Sequence, residues 1–479
     1  MTIKAENWID GAYCGADRWA ESSNPANAEV LGVFADATLD DGKEAIAAAR
    51  RAFDKTDWKR QPRLREKVLL AMADGIEARQ DELVDLLVAE NGKTRAIAAA
   101  EVASCHSEFR FYAGLTRSTF GRITSLEPDS TLLLKREPLG VAGIIVPWNA
   151  PLILLVRSLA PALAAGCTAV IKAAPQTALS SAAFMNIIAN VEGLYAGIIN
   201  MVAETGNDIS MHLVDSLDVD VISYTGSTHV GKLIMASGAK TLKRMNLELG
   251  GSAPGVVFAD ANLDVATEVM ARTSMVMAGQ MCVALSRVIA QESIIGELTE
   301  RLSRRLGSMV VGDGANARTE MGPMIDHDSC QRISRLLEEA GSSGEIILKG
   351  EKPGGDLAKG SFMTPSLVRV KNQTVPLLQG EIFGPILTID SFHDESEAIT
   401  KANQTRYGLA ASVWTRDFAR AQRVVDRIDA GTVWINQHLR LYPEVETGGY
   451  KESGIGRLHG VEGLSEFMHT KCIGWDYGG

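Results

Sequence analysis

The chain has 479 residues, more than one hydrophobic core ordinarily serves, so two or three domains are expected. Hydrophobic content of 46% and charged content of 22% are those of a soluble globular protein. A net charge of −11 with no basic run excludes a nucleic-acid binder. No apolar run approaches the ~20 residues of a membrane span, and Met1-Thr-Ile-Lys-Ala-Glu6 reads as a cytoplasmic N-terminus without a signal segment.

In chain order, residues 6–35 are polar and turn-rich (Trp8-Ile-Asp-Gly11, Ser22-Ser-Asn-Pro-Ala26) and predict short strands. Leu39 to Phe53 is Ala-rich, with acids near its start and bases near its end, and predicts a helix. Pro62 to Gln80 and Asp81 to Asn91 predict two more, with Gly92 as C-cap, and another runs from about Arg95 to Leu115. Ile123 to Glu137 reads as an extended ribbon. Short apolar runs then alternate with helical ones: strands Val141–Val146, Thr168–Lys172, Ile198–Val202 and Val219–Tyr224, helices Leu152–Ala164 and Thr177–Ala189, and Thr225-Gly-Ser-Thr-His-Val-Gly231 opening a further helix. Alternation of this kind predicts a doubly wound parallel sheet. A second α/β unit begins after Gly251. It has strands at Pro254–Phe258, Arg287–Ala290, Ile386–Asp390, Ala410–Trp414 and Thr432–Asn436, and helices at Leu263–Met275, around Ile333–Ala340, Glu395–Gln404 and Phe418–Ile428. The tail from Gly448 is Gly-rich. The fold class expected is α/β, with two doubly wound parallel-sheet (Rossmann-like) domains and a small β element.

The six cysteines are scattered with no C-x-x-C pair, and no H-E-x-x-H occurs, so neither a disulfide framework nor a bound metal is expected. One thiol, Cys282, sits in a small apolar run straight after Gly279-Gln280. Leu247-Glu248-Leu249-Gly250-Gly251 places a carboxylate among apolar residues. A thiol and a carboxylate are the nucleophile and general base that covalent catalysis asks for, although Cys282 by itself fits a buried core cysteine at least as well. Asn149, in the Pro147-Trp-Asn-Ala-Pro151 turn after a strand, offers an amide for a developing oxyanion or is an ordinary turn residue. Gly226 and Ser227 stand between a strand and a helix, where backbone N–H groups bind phosphates, and the stretch is not the G-x-G-x-x-G fingerprint. Lys172 ends a strand, where open α/β sheets bind ligands. Glu381 and Phe383, in Gln379-Gly-Glu-Ile-Phe-Gly-Pro385, pair an acceptor for sugar hydroxyls with a ring for a flat heterocycle. Each of these also has a plain structural reading.

Their order along the chain decides more than any one of them. Trp8-Ile-Asp-Gly11, Pro147-Trp-Asn-Ala-Pro151, Val170-Ile-Lys172, Thr225-Gly-Ser-Thr228, Leu247-Glu-Leu-Gly-Gly251, Gly279-Gln-x-Cys282, Glu381-x-Phe-Gly-Pro385 and Gly449-Tyr-Lys-x-Ser-Gly-Ile-Gly-Arg457 together resemble the aldehyde dehydrogenase superfamily over essentially the whole chain. The resemblance implies oxidation of an aldehyde to the acid with NAD or NADP, through a thiohemiacetal and a thioester on Cys282. It implies Glu248 as general base, with Asn149 and the Cys282 N–H as oxyanion hole. Ile145, Trp148, Lys172, Gly226, Ser227, Leu249, Glu381 and Phe383 would hold the cofactor. Residues 1–122 and 139–249 would form the dinucleotide-binding domain, 250–437 the catalytic domain, and 123–138 with 438–479 an oligomerisation element, giving a homodimer or homotetramer with a small-molecule aldehyde as its partner.

Three departures bear on cofactor and substrate. Pro175 stands where many NAD-preferring members carry a glutamate; without that carboxylate NADP stays open, with NAD favoured. Met277-Ala278 replaces a polar pair before Gly279-Gln280, and Glu446-Thr447 replaces an aromatic wall. The substrate tunnel, by the same resemblance, is lined by Ala150, Leu154, Arg157, Met281, Val283 and Leu441. Most are apolar, which favours an aromatic or other bulky apolar aldehyde. Arg157 is shared with branches acting on succinate semialdehyde and on aromatic aldehydes. The first branch pairs it with a second arginine, at the position of Val276 here. A CoA-acylating dehydrogenase is the other alternative, against which Glu248 counts.

Overall fold

The apolar run after Pro138 forms the strand Val141–Ile145, buried along its whole length, as a parallel strand covered on both faces must be. In the computed structural model, which describes residues 3–370 and 375–478, it pairs in parallel with Thr168–Ala173 on one side and Val221–Thr225 on the other. Ile199–Ala203 extends the sheet beyond the first, and Arg244–Glu248 beyond the second. Chain order therefore steps outward both ways from Val141–Ile145. The carboxyl ends of that strand and of Val221–Thr225 flank the crevice where such sheets bind ligands. Antiparallel strands finish the edges, Asn7–Ile9 with Ala12–Cys14 at one and Gly454–Ile455 at the other.

The second unit is another parallel sheet. Its strands run in the order Ser366–Val370, Ile386–Phe392, Leu285–Gln291, Ala253–Val257, Ala410–Trp414, Thr432–Ile435, with Gly344–Leu348 antiparallel at the first edge. The α/β class and the two-sheet plan are as the sequence pattern indicates. Among the elements not in that pattern's reading are the strands Arg244–Glu248, Gly344–Leu348 and Ser366–Val370, and the helix Ile295–Gly307. Arg244–Glu248 alternates apolar and polar residues, and the Nδ2 of its buried Asn246 donates to Arg457 O at 2.7 Å. The helix Ile295–Gly307 buries Leu298, Leu302 and Leu306 on one face, a stripe at helical spacing. The helix expected around Ile333–Ala340 runs from His327 to Ser343, because the Asp326 carboxylate accepts from Ser329 N at 2.7 Å and caps an earlier start.

Ser130–Pro138 pairs antiparallel with Arg122–Thr124 and with Met468–Asp476 in a separate small sheet. The rest of the tail is shared. Tyr450–Lys451 pairs with Tyr407–Gly408, and Gly454–Ile455 joins the first sheet beside Glu248.

The turn after Val141–Ile145 is held from the helical layer. The helix Gln80–Asn91 ends on Gly92, left-handed at φ 78°. From this end Asn91 Nδ2 donates to Trp148 O at 2.7 Å and Lys93 Nζ to Asn149 O at 3.1 Å. Lys93 also forms an ion pair with Glu101, both residues being buried. Glu101 Oε1 in turn accepts from Leu152 N at 2.9 Å, at the start of the helix Pro151–Ala165, where backbone N–H groups have no partner within the helix. Replacing Lys93 with Met leaves this carboxylate buried without its cation, a change worth about 3–5 kcal/mol where such pairs have been broken. Thermal denaturation followed by circular dichroism should show a clearly lower midpoint; an unchanged midpoint would mean the pair does not brace the turn.

Candidate active site

Cys282 follows a strained turn. Met277, Ala278 and Gly279 are all left-handed, at φ 50°, 54° and 73°, a conformation only glycine adopts without cost. A side chain at Gly279 is also barred, since its Cβ would lie 2.2 Å from Gly384 O. Gln280 braces the turn. Its Nε2 donates to Met277 O at 2.9 Å and its Oε1 accepts from Ile325 N at 3.1 Å. Asn149 Nδ2 donates to Gln280 O at 3.1 Å, tying the oxyanion candidate of the first unit to the cysteine loop of the second.

On the far side of the cysteine, His438 Nε2 lies 2.9 Å from Val283 O and Nδ1 lies 3.1 Å from Ser412 Oγ. Burial pushes the His438 imidazole down to about 4, so the ring is neutral, Nε2–H donates to the carbonyl and Nδ1 accepts the hydroxyl proton. Its ring rests on Trp434, 4.8 Å between centroids. Sequence reasoning missed His438, because a lone histidine beyond a strand carries no signal of what it will face.

Glu248 ends the strand Arg244–Glu248 and is buried, and among the described residues its Oε1 has no hydrogen-bond partner. Burial raises its carboxyl above the usual range, opposed by the charges of Arg157, His459 and Arg457. Burial likewise pushes the half-buried Cys282 thiol up to about 12; Arg157 opposes this, and the carboxylates of Glu381 and Glu248 add to it. Arg157 is therefore the cation whose field reaches both groups. It lies buried on the helix Pro151–Ala165, its Nη2 donates to Thr225 Oγ1 at 3.0 Å, and its Nε has no partner among the described residues. His459, held left-handed at φ 61°, places Nδ1 2.9 Å from the buried Glu108 carboxylate. Neither residue of this pair stands out in the sequence.

The cofactor candidates line the crevice. Register places Ile145 between Lys172 and Tyr224 at the carboxyl edge of the first sheet. Lys172 is buried and, among the described residues, its ammonium makes no hydrogen bond or ion pair; burial lowers its pKa, with Glu204 opposing. Gly226 sits where a Cβ would lie 2.2 Å from Tyr224 Oη, and its N–H donates to Glu248 O at 3.0 Å. Ser227 is exposed and caps the helix Thr228–Gly238, its Oγ accepting from Val230 N at 3.3 Å. Leu249 fills the space above Gly231, where a Cβ would lie 2.6 Å from its Cδ2.

The opposite wall comes from the second unit. Glu381 Oε1 accepts from Gly251 N at 3.2 Å, and burial pushes its carboxyl up to about 7. A Cβ on Gly250 would lie 2.6 Å from the same carboxylate. Phe383 is left-handed at φ 47°, held by Arg332, whose Nη1 and Nη2 donate to Ile382 O and Phe383 O at 2.7 Å each. Its ring meets Trp148 edge to face, 5.7 Å between centroids.

Among the tunnel candidates Ala150, Leu154 and Val283 are buried and Met281 half-buried, whereas Leu441 is 39% exposed and stands at the surface. Glu446 turns away to accept from Glu462 N at 3.1 Å. Among the described residues no group of three or more His, Cys, Asp and Glu side chains is placed to hold a metal ion, and no helix is long and apolar enough to cross a membrane.

A profile of the aldehyde dehydrogenase family matches residues 12–473. The chain is 37% identical to a betaine aldehyde dehydrogenase of Bacillus subtilis (strain 168), over 97% of its own length and 96% of the relative's. It is 35% identical to a phenylacetaldehyde dehydrogenase of Pseudomonas fluorescens, over 97% and 94%. The crystal structure of a betaine aldehyde dehydrogenase from Staphylococcus aureus in complex with NAD+ superposes with a TM-score of 0.97 at 34% identity, covering 99% of this chain and 95% of that one.

The field of Arg157 can be measured directly. Substituting Met should raise the pH at which Cys282 is alkylated by iodoacetamide, because Arg157 favours the thiolate. Substituting Lys should largely restore the original profile. Rate-against-pH curves that coincide for the wild type and Arg157→Met would refute the coupling.

Proposed function

This chain belongs to the aldehyde dehydrogenase family, and from that premise we propose that it oxidises an aromatic or other bulky apolar aldehyde to the carboxylic acid, with Cys282 as nucleophile and NAD as hydride acceptor. One observation carries the assignment of roles: a buried carboxyl, Glu248, with an oxygen unpartnered among the described residues, acts electrostatically on the thiol whose loop Gln280 and His438 brace. The crevice fits the dinucleotide. It offers an unpaired buried ammonium at Lys172, a carboxylate at Glu381, aromatic edges at Trp148 and Phe383, and glycines at 226 and 250 where no side chain would leave room.

Addition of Cys282 Sγ, as the thiolate, to the aldehyde carbon makes a tetrahedral adduct, the thiol proton having left to solvent water, so that Glu248 is not needed until the second half of the cycle. Asn149 commits one amide proton to Gln280 O; the other, with the Cys282 N–H, is left to donate to the new oxyanion. Bound NAD supplies the acceptor for the hydride that leaves this adduct. The resulting thioester on Cys282 is cleaved by water, and Glu248, with its raised pKa and free oxygen, takes the water proton. A carboxylate placed for hydrolysis argues against CoA as the acyl acceptor.

The tunnel supports the substrate class. Ala150, Leu154, Met281 and Val283 are apolar, and the tunnel set contains no aromatic ring to cage a quaternary ammonium. Arg157 would repel such a cation. The buried, unpartnered Arg157 Nε favours a second reading, a semialdehyde whose carboxylate reaches this guanidinium. In the separate small sheet Ile123 is 70% exposed and Trp475 43%, with Phe120 at 80% and Leu126 at 78% beside it; such a patch supports self-association into a dimer or tetramer.

Cys282→Ala should abolish NADH formation. Glu248→Gln should release about one equivalent of NADH per site and then stall; undiminished steady-state turnover would remove Glu248 from deacylation. Across benzaldehyde, betaine aldehyde and succinate semialdehyde, kcat/KM should be at least about tenfold higher for benzaldehyde, roughly 1.4 kcal/mol. The reverse order would place the semialdehyde or the ammonium substrate in the tunnel.

A further inference from the structure

Lys172 has an acidic neighbour that family motifs do not mark. Register aligns Val202 with Lys172 and Ala203 with Ala173, so the next residue, Glu204, leaves the sheet at the same edge. It is 3% exposed. Its Oε2 accepts from Ile209 N at 3.1 Å, and its Oε1 accepts from Ser210 N at 3.1 Å and Ser210 Oγ at 3.2 Å. These N–H groups open the helix Asp208–Asp215, where an incoming phosphate would otherwise find donors and a favourable dipole. Glu204 fills that position with its own carboxylate. Asp208, in the first turn, adds a second negative charge. Beside it the backbone leaves room, since a Cβ on Gly206 would meet only Glu204 Oε2, at 3.9 Å.

We propose that Glu204 makes this chain select NAD over NADP. The inference rests on the reading that Lys172 holds the dinucleotide, and takes its contact to be with the adenosine ribose. A ribose diol is neutral and can hydrogen-bond to the ammonium of Lys172 while Glu204 offsets its charge. A 2′-phosphate would bring its own charge into the field that Glu204 already exerts at Lys172, and would find the helix N-terminus taken by the same carboxylate. Pro175, three residues after Lys172, has neither a charge nor an N–H to contribute. The discrimination is therefore moved from the turn after one strand to the end of the next, where the carboxylate is fixed by three hydrogen bonds.

Calorimetric titration of the full-length protein with NAD or NADP, without aldehyde, tests this apart from turnover. The wild type should bind NAD more tightly than NADP. Glu204→Gln should lower the Kd for NADP about tenfold, as removal of one nearby negative charge predicts, and leave that for NAD within about twofold. Glu204→Thr, whose hydroxyl can still cap the helix, should behave alike if the Gln variant does not fold. A folded variant with an unchanged NADP Kd would overturn the proposal, as would a wild type that binds both cofactors equally. Lys172→Met separates the two levels. If it binds both cofactors as the wild type does, the reading of Lys172 falls, and the proposal with it. If it loses affinity while the Glu204 variants gain none for NADP, only the proposal falls.

Discussion

A half-buried thiol and a buried carboxyl that act on each other electrostatically both resist ionisation, and the site depends on how that resistance is balanced. Burial pushes Cys282 and Glu248 in the same direction, and each carboxylate near the thiol makes its deprotonation harder still. The buried guanidinium of Arg157 acts against both shifts. Its own position is set by one hydrogen bond to Thr225, a residue whose Cα pairs with that of Glu248 across the sheet. The electrostatics of the nucleophile thus follow from a strand pairing in the first unit, although the cysteine belongs to the second.

Placement of the cysteine poses a related problem. Its loop passes through three consecutive left-handed residues, two of them not glycine, and such strain persists only where neighbours over-determine it. Here they do so from both units. Gln280 closes the turn, Ile325 holds Gln280, Asn149 reaches across from the first unit, and a neutral His438 pins the peptide after the thiol. Asn149 is itself anchored through Lys93 to the buried Glu101 at the head of the following helix. Several of the polar groups buried around the cysteine thus fix backbone position, while among the described residues Glu248 Oε1 and Arg157 Nε are left without hydrogen-bond partners.

The crevice shows the same division of labour between units. Lys172, Ile145 and Ser227 line one sheet edge because consecutive strands end there. Glu381 and Phe383 are brought opposite them by a segment of the other sheet, kept left-handed at Phe383 by Arg332. The edge-to-face contact of Trp148 with Phe383 is one place where the two units meet beside the cofactor candidates.

Much of this was legible in the amino-acid order. Buried parallel strands must be apolar throughout, so Val141–Ile145 and Ala410–Trp414 declare themselves, and a helix that ends left-handed wants a glycine, as at Gly92. The motifs around Cys282, Glu248, Asn149, Lys172 and Glu381 are local and could be read without coordinates. Arg244–Glu248 could not be recognised as a strand, because its buried Asn246 finds a partner for its Nδ2 in a carbonyl more than two hundred residues away. His438, His459, Glu108 and Glu204 were silent for the same reason: each owes its importance to a partner or a field supplied by another element. Composition and periodicity determined which segments fold and which residue types could react. Only the tertiary structure decided which polar groups lose water together, which of them stay unpaired, and whose charge acts on the thiol, since desolvation and Coulomb interaction depend on distances in space that spacing along the chain does not encode.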